Sequence, residues 1–127
     1  MREEGKNTKF FAFEKLDVYQ LSISLATQIY VVTRDFPPEE RFGLTNQIRR
    51  AATSVTLNIA EGSGRGSQKD FARFLYQARG SVFEVVSALH LAQQLQYLDT
   101  ADVSNLTDQA HIISAKLMAF INKIAPS

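Results

Sequence analysis

No cysteine occurs in the 127 residues, which excludes disulfides, a thiolate metal site and a cysteine nucleophile, and fits a reducing cytoplasm. No apolar run approaches ~18 residues, so no membrane-spanning helix is expected. Met1 to Lys9 is polar and mixed in charge, without the apolar core of a signal peptide. No strand pattern competes with the helical periodicities described next. The net charge is only +1, which points to no partner until its distribution is considered.

That distribution is uneven. Residues 1–40 carry five basic and seven acidic side chains, and residues 80–127 carry two and four, a net of −2 in each case. Residues 41–79 carry seven basic residues (Arg41, Arg49, Arg50, Arg65, Lys69, Arg73, Arg79) against Glu61 and Asp70, a net of +5. The middle of a nearly neutral chain is basic.

The length suits one domain with a real core. Residues 1–10 read as a flexible polar tail and residues 11–127 as the domain, with Phe11 and Phe13 pinning the tail's end. Helix 1 is expected from about Leu16 to Arg34, on the stripe Leu16, Tyr19, Ile23, Ala26, Tyr30 and Thr33. Pro37-Pro38 ends it, and Glu39 and Glu40 suit a short helical start after the prolines. Helix 2, about Leu44 to Glu61, carries Ile48, Ala52, Val55 and Ile59 on one face. Three glycines follow within five residues, Gly62, Gly64 and Gly66, where positive φ is expected.

Helix 3, about Gln68 to Leu95, is capped by Ser67 with Asp70 three residues on. Its stripe is Phe71, Leu75, Ala78, Val82, Val85, Leu89 and Ala92; Gly80 within it predicts close approach of another helix. Helix 4, about Ala101 to Ile124 with Thr100 as cap, repeats Val103, Leu106, Ala110, Ile113, Leu117, Phe120 and Ile124. Four such stripes with short connections predict an all-α, antiparallel up-down-up-down four-helix bundle with left-handed supercoil. Leu57, Phe74, Phe83, Val86 and Leu91 fall off the stripes. Either the core face is broad, or a second face buries against another copy. The small residues Ala51, Ala52 and Ser54, with Leu57 and Phe74, mark where helices 2 and 3 are expected to meet a neighbour.

Catalytic patterns are missing. A di-iron bundle needs two Glu-x-x-His pairs, whereas His90 and His111 follow Ser87 and Asp108 by three residues. The glycine turn follows a helix rather than a strand and lacks the Lys-Ser/Thr ending of a phosphate loop. No metal, cofactor or catalytic residue is expected. Asn58, Glu61 and Glu84 lie nearest the core stripes, where interhelical hydrogen bonds, for instance to an arginine, would satisfy them. The last constellation is Arg49, Arg50, Arg65, Lys69, Arg73 and Arg79, a candidate nucleic-acid surface or else a solvated face with intersubunit salt bridges. Aromatics for base stacking are poorly placed, so any binding should favour phosphates over bases.

FGLTNQIRRAA, NIAEGSGRGSQKDF and QARGSVFE, together with EKLDVYQ and LQYL, resemble the four-helix-bundle proteins of the 23S rRNA intervening-sequence family over about Phe11 to Ile124. The resemblance implies a bacterial bundle assembling as a ring-like homopentamer, without established enzymatic activity. Some family members are encoded within insertions in large ribosomal RNA genes. The family is also similar to the accessory proteins of diversity-generating retroelements, which are basic pentameric barrels that bind nucleic acid and a reverse transcriptase. Where the family reads LGYL, this chain has Leu95-Gln96-Tyr97-Leu98, so the end of helix 3 is expected to differ for want of a glycine. The expectation is a noncatalytic cytoplasmic homo-oligomer that binds RNA or DNA through its basic residues. The alternative is a scaffold that binds a protein partner, such as a reverse transcriptase, with no nucleic-acid role.

Overall fold

The computed structural model describes residues 10–126, and these fold as four α-helices with short 3-10 turns. The expected flexible tail therefore lies, but for Phe10, outside the described residues. A 3-10 turn (Ala12–Lys15) precedes α1 (Asp17–Val32), and another (Thr33–Asp35) ends it before Pro37. Pro38–Glu40 forms a third, with proline at its start, and leads into α2 (Leu44–Ser63). After Gly64–Ser67 come α3 (Gln68–Gln94) and α4 (Thr100–Ile124). Each helix packs on the next, and α4 returns against α1. The result is an up-down-up-down bundle with neighbours in the cyclic order α1, α2, α3, α4.

The expected stripes of α2, α3 and α4 form the core. Ile48, Ala52, Val55 and Ile59 are buried, as are Leu75, Ala78, Val82, Val85, Leu89 and Ala92, and Val103, Leu106, Ala110, Ile113 and Leu117. Phe71 and Phe120, at the ends of two stripes, are half-buried and meet edge to face at 5.3 Å.

In α1 the expected stripe runs one position late at Ile23 and Tyr30, while Leu16, Tyr19 and Ala26 pack half-buried against the core and Thr33, just past the helix, is buried as expected. Val18, Ser22, Leu25, Ile29 and Thr33 face the core, whereas Ile23 and Tyr30 are exposed. Ser22 is tolerated inside because its hydroxyl bonds the Tyr19 carbonyl at 2.7 Å and the Thr56 hydroxyl at 2.9 Å. Thr33 bonds the Ile29 carbonyl at 2.7 Å. A periodicity counted on apolar residues misses a satisfied hydroxyl such as that of Ser22.

Caps and glycines refine the picture. Ser67 caps α3 by accepting from the Asp70 amide at 3.1 Å, as expected. Asp99 rather than Thr100 caps α4, accepting from the Asp102 amide at 2.8 Å. No described glycine adopts a left-handed φ. Gly62 lies inside α2, where an added Cβ would be 2.6 Å from the Phe74 Cβ. Close packing of α2 on α3 demands that glycine, not a turn. An added Cβ at Gly80 would meet nothing within 4 Å, so the expected close approach there is absent in the single chain. The positive φ falls instead on Gln96, at 66°. The Tyr97 amide bonds the Ala92 carbonyl and the Gln96 amide bonds the Gln93 carbonyl, a Schellman ending made without glycine.

Candidate nucleic-acid interface

Of the six basic residues singled out, the fold gathers Arg65, Lys69 and Arg73 around the α2–α3 turn. Arg65 lies 2.7 Å from Glu61, and Asp70 receives Arg73 at 2.8 Å and Arg65 at 4.0 Å. Both guanidinium groups lie over the Phe74 ring, at 4.5 and 4.7 Å from its centre. Phe74 is therefore only 6% exposed, covered by cations whose flat faces suit an aromatic surface. Lys69 has no ion pair among the described residues and, with Arg73, Gly66 and Ser67, lines a shallow depression at the start of α3. Three cations and two carboxylates leave a local net of +1, far below the +5 of the segment. The ion pairs are exposed and so contribute little stability. The N-terminal end of the long α3 adds partial positive charge.

The other three go elsewhere. Arg49 is turned to α1, its Nε donating to Thr33 Oγ1 at 2.8 Å and its guanidinium stacked over Tyr30 at 4.6 Å. Arg79 lies over Phe83 at 4.7 Å, and its buried Nε has no hydrogen-bond partner among the described residues. Arg50 lines the polar α2–α3 groove, with Glu84 beside it in one depression and Glu61 in the next.

Asn58, Glu61 and Glu84 do not make the interhelical bonds expected of them. Asn58 bonds Ser54 within α2 at 2.9 Å, Glu61 pairs with Arg65 and Glu84 is exposed. Polar contacts between helices come from residues the periodicity passed over: Ser81 to Ser54 at 2.9 Å, and Gln28 to Gln109 at 2.9 Å.

The small residues expected to meet a neighbour are also used within the chain. Ala51, Ala52 and Phe74 are buried in the bundle and Ser54 is bonded to Ser81. Tight α2–α3 packing consumes them. Leu57 remains, 64% exposed. With Ile23, Ala26, Tyr30 and Thr53 it lines an apolar groove of about 380 Å³ between α1 and α2. A second groove of about 380 Å³ lies between α3 and α4, lined by Phe83, Val86, Ser87, His90, Thr107 and His111. The cyclic helix order places these two apolar grooves on opposite flanks of the bundle, with polar α2–α3 and α1–α4 seams between them.

Among the described residues no cluster of three His, Asp or Glu side chains is placed to hold a metal ion, and no helix is long and apolar enough to cross a membrane.

A model of the family described as 23S rRNA-intervening sequence protein matches residues 14–119. Among solved structures, the chain is similar to a protein of unknown function from the S23 ribosomal protein family of Bacteroides thetaiotaomicron. The TM-score is 0.74 at 24% identity, covering 82% of this chain and 97% of the other. That likeness carries the fold alone. No curated protein matches.

Proposed function

Because this chain belongs to the 23S rRNA-intervening sequence protein family, we propose that it is a noncatalytic, cytoplasmic homo-oligomer whose assembled surface holds nucleic acid. The observation that carries the assembly is the pair of apolar grooves on opposite flanks. Two different patches that bind each other make a head-to-tail contact, and such contacts close into rings when the rotation allows. Five copies is the number that the family resemblance implies. Phe83, 51% exposed beside one groove, and Leu57, 64% exposed beside the other, are large apolar side chains that a neighbour would cover.

Nucleic acid enters through the α2–α3 turn. Arg65, Lys69 and Arg73 make a weak patch in one chain, but a ring multiplies it. The partners are phosphates rather than bases, since the aromatic ring between the arginines is already covered. The rival scaffold reading draws support from the same place, because Glu61 and Asp70 already neutralise two of the three cations.

Light scattering at micromolar concentration tests the assembly. The expected mass is several times 14.2 kDa. Leu57→Glu, at an exposed position, should lower it towards one chain without loss of helicity. A strict monomer in the wild type would end the ring reading.

A further inference from the structure

His90 of α3 and His111 of α4, the only histidines in the sequence, line the same apolar groove. Phosphate binding at the α2–α3 turn makes no use of them. Both are exposed in the single chain. Histidine is the side chain whose charge changes between about pH 5 and 8. A protonated imidazole is costly once apolar surface closes over it without an opposite charge.

Among the described residues, no opposite charge lines the groove, whose lining contains no carboxylate. On α3 the charged group of that flank is Arg79, stacked over Phe83, while Glu84 lines the seam with α2. On α4 the nearest acid in sequence is Asp108, one turn before His111, exposed and outside the lining. The groove between α1 and α2 holds no carboxylate either, and Tyr30 in it lies under the Arg49 guanidinium. Both flanks that would meet are bordered by arginine. A proton gained in the contact finds repulsion rather than a partner.

We infer that His90 and His111 make assembly proton-sensitive: the contact closes over neutral imidazoles and opens when they take up protons. The inference rests on the proposed pairing of the two grooves. Its sign follows from linkage, since the free chain binds more protons than the assembled one and association therefore weakens as pH falls.

The test is analytical ultracentrifugation of the full chain at pH 8 and pH 5.5, at one ionic strength, for the wild type and for the double variant His90→Gln, His111→Gln. Circular dichroism at both pH values establishes that each bundle stays folded, which the exposure of both positions favours. The apparent dissociation constant of the wild type should rise at least about tenfold at pH 5.5. That of the double variant should change by less than about twofold, within the scatter of a single lost contact. A wild type that is monomeric at pH 8 overturns the groove pairing and this inference together. An assembly equally tight at both pH values overturns this inference and leaves the pairing standing. A double variant that dissociates in acid as the wild type does removes the role from the histidines.

Discussion

The Tyr97 hydroxyl donates to a Glu40 carboxylate oxygen at 2.8 Å, joining two connections 57 residues apart. Glu40 also accepts from the Leu44 amide at 3.0 Å, at the start of α2. The Tyr97 ring meets buried Phe36 at 5.3 Å. One tyrosine therefore ties the α3–α4 turn to the α1–α2 connection and closes that end of the bundle. Its position depends on Gln96, whose left-handed backbone turns the chain directly before it.

This clasp gives the stability a defined pH profile. The Leu44 amide, and then the Tyr97 hydroxyl, hold Glu40 below its ordinary value of 4.5. The same bond raises Tyr97 above 10.0. A lowered carboxylate contributes above its unfolded value, and the contribution fades as pH falls through the folded one. A raised phenol contributes below its unfolded value and loses this as pH rises through the folded one. Tyr97→Phe should therefore lower the melting temperature most between about pH 5 and 9.5, converging with the wild type on both sides. A penalty that stays flat from acid to alkali would assign it to packing of the ring instead.

Gln96 carries a backbone cost that can be removed. A non-glycine residue in the left-handed region costs about 1–2 kcal/mol, of which the chain freedom of glycine returns roughly 0.5–1 on substitution. Gln96→Gly should stabilise the bundle by up to about 1 kcal/mol, a rise of a few degrees in thermal melting. A fall would mean that the Gln96 side chain has a role beyond the turn.

Two glycines should respond in opposite directions to the same change. Gly62→Ala drives a methyl into the Phe74 Cβ, which moves only with the α3 backbone, and overpacking of this kind costs about 1–3 kcal/mol. Gly80→Ala enters open space on an exposed helix face and should stabilise by up to about 1 kcal/mol. Paired urea titrations read both signs. Equal signs would refute the packing described for α2 on α3.

The residues explain what was legible in sequence. The stripes of α2, α3 and α4 consist of apolar side chains at helical spacing, so their burial follows from composition and period alone. In α1, Ser22 is buried on the strength of hydroxyl bonds to Tyr19 and Thr56. An apolar count then drifts to Ile23 and Tyr30, which line an open groove. Glycine identity marks a special backbone site without saying which kind: Gly62 serves an approach between helices, and the left-handed site went to a glutamine. The basic segment was legible as charge but not as geometry. Arg49 is spent on Tyr30 of α1, a partner that no local spacing reveals, and Arg79 on Phe83 one turn along its own helix.

The decisive prediction concerns the three cations that the fold keeps together. If Arg65, Lys69 and Arg73 contact phosphates, affinity for a mixed-sequence oligonucleotide must fall steeply with salt, because each contact releases counterions. Changing all three to glutamine should weaken binding by a similar factor for every sequence and flatten the salt slope by about three. The same change frees Glu61 and Asp70 from their arginines and uncovers Phe74, so a modest drop in melting temperature is expected alongside. The oligomer mass should not move, since the turn lies outside both apolar grooves. Lys69→Gln alone separates the two effects: Lys69 has no ion pair among the described residues, so its loss should reduce the slope by about one with no change in melting. A wild type that binds no oligonucleotide at about 50 mM salt, where phosphate contacts are strongest, would leave the arginines as the cover of Phe74 and favour the scaffold.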